Sequence, residues 1–383
     1  MANAGFGVPI RAIWHGALLL VIGIGAARIV STYKVFNQTV DEAEHLACGM
    51  EWVDLGQYQL EPHHPPLARI FMAIGPYLDG SRFPYTGGVR NEGNEILYAT
   101  HYWRTLALAR CGILPFFILA CLMVWFWTKH LFGRTAALVA VLLFSNIPPI
   151  LGHSGVATTD MAAAATLASA LYAVTLYLET PTWRRGVLLG LALAAAVVAK
   201  FSNIAFFPVS LLVFVLFRAL WNRRFGLLSP RVRWPHGAAC IAVAVVAVWS
   251  VYRLAWDPVI IPGRDVAGEE RSMELGRLPL RALHNYAVAL LERPLPLGQL
   301  VRGLGSTYLH NSRGHASFLL GEYSETGWWY FFPVVLAVKT PIAFLLLAGI
   351  GSVSLIRRLW RDGQPPSGLL QRYRRADAGD ITA

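Results

Sequence analysis

The chain reads as an all-α integral membrane protein, with about eight transmembrane helices and two long outer loops carrying short interfacial helices. Three observations predict it. Of its 383 residues, 55% are hydrophobic and only 14% are charged, where a soluble domain carries roughly 25% charged residues. Apolar runs recur at close to the ~20 residues that cross a ~30 Å hydrocarbon core. Arginine and lysine gather in the short connections between those runs, as cytoplasmic loops require. Together these exclude a soluble enzyme, a disordered chain, a coiled coil and a disulfide-stapled secreted module. The formal net charge of +11 belongs to the topology signal, and no nucleic-acid partner is expected.

Taken in order, the apolar runs are Ile10–Val30, Leu106–Trp127, Thr135–Leu151 and Met161–Leu178, a fused block Gly186–Phe217, then Gly237–Trp256 and Trp328–Leu355. The first is read as a span rather than a cleaved leader, because it stays apolar to Val30 and further spans follow. The block Gly186–Phe217 is too long for one helix at ~1.5 Å per residue. Its polar centre, Lys200-Phe201-Ser202-Asn203, splits it into a hairpin whose turn lies at a membrane surface. With that split, Lys129 and Arg134, Arg184 and Arg185, Arg218 to Arg233, and Arg357 to Arg361 fall on one side, the cytoplasmic one. Both termini fall on that side too. The expected organisation is a transmembrane module over residues 1–356 and a basic cytoplasmic tail over 357–383.

The outer loops span about Ser31–Thr105 and Asp257–Gly327. Of 22 acidic residues, nine lie in the first and eight in the second, with Asp160 beside a short outer turn. The four cysteines have no paired spacing; Cys111, Cys121 and Cys240 lie in apolar stretches and read as core fillers.

The first outer loop opens with Asp41-Glu42-Ala43-Glu44-His45, and Asp41–Gly56 reads as a short interfacial helix ending on glycine. Glu61-Pro62-His63-His64-Pro65-Pro66-Leu67-Ala68-Arg69 follows, then a second apolar helix, Ile70–Leu78. Carboxylates favour helix N-termini, so Asp41 and Glu42 fit a solvated helix start as well as a reacting pair. Lys200, the one charge in the hairpin turn, is placed to meet an anionic lipid at headgroup depth or to anchor the turn. His45, His63, His64 and His153 lack a tight metal-ligand spacing; no cofactor is required, and a divalent metal is the lesser alternative. His310 and His315 read as polar loop residues. Trp328, Trp329 and Tyr330 read as an interfacial aromatic belt.

Asp-Glu-x-x-His followed by His-Pro-Pro-Leu-x-Arg resembles the first outer loop of the protein O-mannosyltransferase family. More broadly it resembles the GT-C membrane glycosyltransferases that use polyprenyl-phosphate sugars. Arg110 fits an arginine of that family at the head of the second span. Gly152-His153-Ser154-Gly155-Val156-Ala157-Thr158-Thr159-Asp160 resembles its second outer acidic motif. Leu320-Gly321-Glu322-Tyr323 and Gly327-Trp328-Trp329-Tyr330-Phe331-Phe332-Pro333, ahead of Lys339-Thr340-Pro341, resemble the entry to a late span. Arg69 stands where the family usually carries lysine, which keeps the charge. The loop Asp257–Gly327 is too short for the β-trefoil unit of eukaryotic members.

The resemblance implies transfer of a sugar from a polyprenyl-phosphate donor to a hydroxyl or amine acceptor on the outer face, with inversion. A protein, a lipid or a polysaccharide would serve as acceptor, with membrane lipids around the module. It implies Asp41 as the base, Glu42 as its orienting neighbour and Asp160 as the second carboxylate. Arg69, Arg110 and Lys200 are implied for the donor phosphate, His45, His64 and His153 for substrate contact, and Trp329 and Tyr330 for the lipid-donor cavity. The corresponding location is the bacterial cytoplasmic membrane, or the endoplasmic reticulum in a eukaryote. The rival reading is a non-enzymatic transporter of lipid-linked sugars or a membrane scaffold; the sequence lacks the internal repeat and mid-membrane charges usual for a transporter.

Overall fold

The computed structural model describes residues 10–222, 234–261, 288–312 and 317–362. It is an integral membrane protein built almost wholly of helices. Four helices are long and apolar enough to cross a membrane: Ala12–Ser31, Tyr102–Phe132, Asp160–Glu179 and Trp234–Val251. Two further pairs would each make a span if a sharp bend is allowed. By length and composition, four helices, or up to six spans with the bent pairs, qualify among the described residues, against about eight expected.

Both departures have local causes. Thr135–Leu151 is two helices, α7 (Arg134–Phe144) and α8 (Pro148–Ser154), bent by 67°. Pro148 and Pro149 open α8, and the residue ahead of a proline is driven out of the helical region; Ile147 is extended. Trp328–Leu355 is likewise α14 (Phe331–Lys339) and α15 (Ile342–Asp362), bent by 110° at Thr340-Pro341. Helix α15 carries on through Arg357, where the sequence placed the start of the tail.

The expected hairpin forms. Helix α9 (Asp160–Glu179) is followed by α10 (Trp183–Ala199), α11 (Asn203–Asn222) and α12 (Trp234–Val251). Thr182 caps α10 by accepting from the Arg185 N–H. Lys200 is extended and ends the helix, and Asn203 holds the turn through its side-chain bond to the Ala196 carbonyl at 3.0 Å. Small residues let these helices approach closely: Gly186 and Gly190 of α10 face His236 and Cys240 of α12. Those contacts fix α10 and α12 as parallel and directly packed, with α11 returning the chain from one to the other.

Helices α1 (Ile10–Ser31) and α6 (Leu114–Phe132) complete the membrane layer. One end of it carries Lys129, Arg134, Arg184 and Arg185. At the other end lies a helical layer, expected from the sequence to be the outer one: α2 (Val40–Met50), a π-helical turn Glu51–Leu55, α3 (Pro66–Leu78), α4 (Val89–Tyr98) and α5 (Tyr102–Cys111). Proline at the first turn sets the start of α3 four residues ahead of the expected one. Helix α2 and its π turn match Asp41–Gly56, but the helix is interior rather than interfacial. Leu46 and Met50 are 0% exposed, covered by α3 and α4. The backbones of α2 and α3 touch so closely that a Cβ on Gly49 would collide with the Arg69 carbonyl.

The second outer segment contributes α13 (Gly298–Ser312) and two short antiparallel ladders. Strand β1 (Trp256–Asp257) pairs with β2 (Leu295–Pro296), and β3 (Ser317–Leu319) with β4 (Glu322–Ser324). Helix α13 seats on the first outer layer, with Gly303 against Pro62 and Phe201.

Candidate active site

The capping box at Thr39 starts α2 and turns Glu42 inward. Glu42 is 1% exposed and its carboxylate accepts from Nε and Nη2 of Arg110 at 2.8 and 2.9 Å. It also accepts the Ala157 and Thr39 N–H groups at 2.7 and 2.8 Å. Arg110, equally buried, gives its remaining N–H groups to the carbonyls of Tyr33, Phe36 and Asn37 at 2.7, 2.9 and 3.0 Å. All five guanidinium donors are thus used within the chain. The resemblance implied Arg110 for a phosphate and Glu42 for orienting the acceptor or the base. Their geometry instead locks the chain after α1 to α2 and to the turn ahead of Asp160.

Arg69 is 0% exposed and arranged the same way. It donates to His45 Nδ1 at 3.1 Å, to Tyr58 Oη at 2.8 Å and to the Glu61 carbonyl at 2.9 Å. Its Nη2 reaches the Glu61 carboxylate and His64 Nδ1. Arg69 thus holds the Glu61–His64 loop, with Nε and both terminal nitrogens bonded within the chain. Glu61 gathers Arg69, His63 Nδ1 at 2.5 Å and His64 Nδ1 at 3.3 Å. Burial opposes its charge, but Arg69 and the histidine hydrogen bonds outweigh that and hold its carboxyl well below the usual carboxylate range. Burial, then Arg69, push the His45 imidazole well below its ordinary value. His45 is therefore neutral, accepting from Arg69 on Nδ1.

Sequence reasoning passed over Glu61 as a site residue. The signal was present: a buried Arg69 demands an acid, and Glu61 stands eight residues ahead of it. His310, expected in a loop, lies in α13 with its ring 5.0 Å from that of His63. His315 falls outside the described residues.

The accessible polar groups lie at the tip of the α10–α11 hairpin. Lys200 Nζ donates to Asp160 Oδ1 at 2.5 Å, and His153 Nδ1 lies 3.4 Å from Asp160 Oδ2. The Lys200 and Asp160 side chains are 29% and 42% exposed, so this pair faces an open space. An ammonium has three donors, which leaves Lys200 able to bind a further anion. Helix α9 begins at Asp160, and the Glu42–Ala157 bond sets this turn against the start of α2.

Most acids of the first outer loop are already taken. Glu44 pairs with Arg90, Asp79 with Arg104, Asp54 receives the Phe83 N–H, and Glu92 the Gly87 N–H. Glu51 receives the Gln59 and Leu60 N–H groups. Among the described residues Asp41 and Glu95 make no hydrogen bond or ion pair, and both are exposed. Asp41 is the one beside Glu42, at the first turn of α2. Trp329 is 90% exposed, with its ring against Tyr330 and not in this cluster. No group of three or more His, Cys, Asp or Glu among the described residues is arranged to hold a metal ion.

Residues 107–252 match the model of the dolichyl-phosphate-mannose-protein mannosyltransferase family. That stretch contains Arg110, the Gly152–Asp160 motif and Lys200, and begins after the Asp41–His45 and His64–Arg69 motifs. The chain is mannosyltransferase-like across it. A crystal structure of ArnT from Cupriavidus metallidurans bound to undecaprenyl phosphate is similar at 15% identity and a TM-score of 0.46, over 76% of this chain and 59% of that one. The chain thus spans less than two thirds of that protein's length. No curated protein matches the chain.

Proposed function

We propose that the chain is a membrane glycosyltransferase that moves a sugar from a polyprenyl-phosphate donor to a hydroxyl or amine acceptor on the outer face, inverting the anomeric carbon. The observation that carries this reading is the open Asp160–Lys200–His153 cluster, whose turn is tied through the Ala157 N–H to Glu42, the residue after the exposed Asp41. Likeness to the mannosyltransferase family over residues 107–252 supports the donor class.

Asp41 takes the acceptor proton as the acceptor oxygen or nitrogen bonds to the anomeric carbon. The bond from that carbon to the phosphate oxygen breaks, and its electron pair leaves with the polyprenyl phosphate. Lys200 meets that growing charge with a preorganised cation, where electrostatic stabilisation contributes most. Asp160 positions the ammonium, and Arg69 and Arg110 keep the frame rigid. A carboxylate with open lone pairs can reach an acceptor proton better than one held in an ion pair, which favours Asp41 over Glu42.

Asp41→Asn should lower turnover by ~10²-fold or more with little change in donor binding. Glu95→Gln, at the other acid of the first outer loop without a side-chain partner among the described residues, should leave turnover unchanged. The readout is mass spectrometry of free polyprenyl phosphate released by reconstituted protein in the presence of candidate acceptors. Sugar-lipid crossing the bilayer intact, with no phosphate released under any acceptor, would make the chain a transporter.

A further inference from the structure

At the opposite end of the helices, far from the outer layer, a cavity of about 270 Å³ is lined by Trp14, His15, Trp125, Lys129 and Arg134. Lys129 lies in the last turn of α6 and Arg134 opens α7. Neither makes an ion pair or side-chain hydrogen bond among the described residues, and the nearby acid Glu179 is taken by His130 at 2.8 Å. Trp125 is 2% exposed and its side chain forms part of the cavity wall. The walls thus offer two cations and two indoles with no carboxylate, which calls for an anion.

We infer that this cavity binds the phosphodiester headgroup of an anionic phospholipid on the cytoplasmic side, independently of the reading of the outer site. Two features favour a lipid over free phosphate. The cavity lies at headgroup depth, where tryptophan and basic residues meet the membrane surface. Exposed apolar side chains lead away from it along α1 and α7: Leu19, Leu20, Val139 and Leu142. Acyl chains would lie on that surface while the phosphate reaches Lys129 and Arg134.

The full chain, purified in detergent, is examined by native mass spectrometry with phosphatidylglycerol, phosphatidylcholine or inorganic phosphate. Phosphatidylglycerol should be retained in preference to phosphatidylcholine. Lys129→Gln and Arg134→Gln should each weaken retention about five-fold, while Lys129→Arg keeps it. Trp125→Phe, which preserves the ring and removes the donor, should weaken it too and serves where a charge variant fails to fold. Equal retention of both lipids, wild-type retention by the neutral variants, or displacement by equimolar inorganic phosphate would overturn the assignment.

Discussion

At the scale of single residues, the decisive question is which charges have been consumed by folding. Arg69 and Arg110 keep their charge in the interior because each guanidinium meets an acid and enough carbonyls to replace its water, the condition under which a buried ion is tolerated. The histidines follow the same logic with the sign reversed. His45 is neutral in the folded protein, so its folded pKa lies below the unfolded value of about 6.5. A base depressed in this way contributes its full stability above the unfolded value and loses it as pH falls toward the folded one. Glu61 acts in the same direction, beginning lower, near the ordinary carboxylate range. Thermal unfolding in detergent should therefore show a loss of up to about 1.4 kcal/mol per pH unit below pH 6.5. His45→Gln, which can still accept from Arg69, should flatten that slope. An unchanged profile between pH 7.5 and 5.5 in the wild type would contradict a neutral buried imidazole.

At the scale of elements, sequence was informative where hydrophobicity and charge alternate, and silent where partners come from afar. The hairpin tip at Lys200 was legible because a polar tetrapeptide interrupts an otherwise apolar block. The bends at Pro148 and Pro341 were visible as prolines, but an apolar window averages over them. Asp41 and Asp160 were marked by their motifs, whereas the engagement of Glu42 with Ala157 and of Arg69 with Glu61 depends on packing between α2, α3 and the turn before α9. No local pattern distinguishes an arginine that will meet a ligand from one that will meet a carbonyl. The contact of α2 with α3 tests how tightly that packing is set. Gly49→Ala places a methyl group against the Arg69 carbonyl. It should cost about 1–3 kcal/mol, the usual range for overpacking, read as a lowered unfolding temperature. A neutral outcome would mean that the two helices can separate freely.

For the whole molecule, the separation of charge is the organising feature. The ends of α6, α9 and α10 that carry Lys129, Glu179 and Trp183 face one way, and Arg110, Asp160 and Lys200 face the other. Single cysteines at Ser202 and Arg184, in a background lacking the four native cysteines, should be labelled by an impermeant reagent from opposite sides. Labelling of both from the same side would dismantle the topology on which the outer site depends.

The bend after α7 also bears on the surrounding bilayer. Arg28 of α1 donates to the Asn146 side chain at 2.5 Å just beyond the end of α7, while Arg134 marks the start of that helix. Eleven residues rise only about 16 Å, roughly half of a ~30 Å hydrocarbon layer. Along this wall the polar boundaries are therefore much closer together than lipid tails prefer. Hydrophobic mismatch of this kind is relieved by local thinning of the bilayer, and the membrane beside α7 is expected to be drawn in.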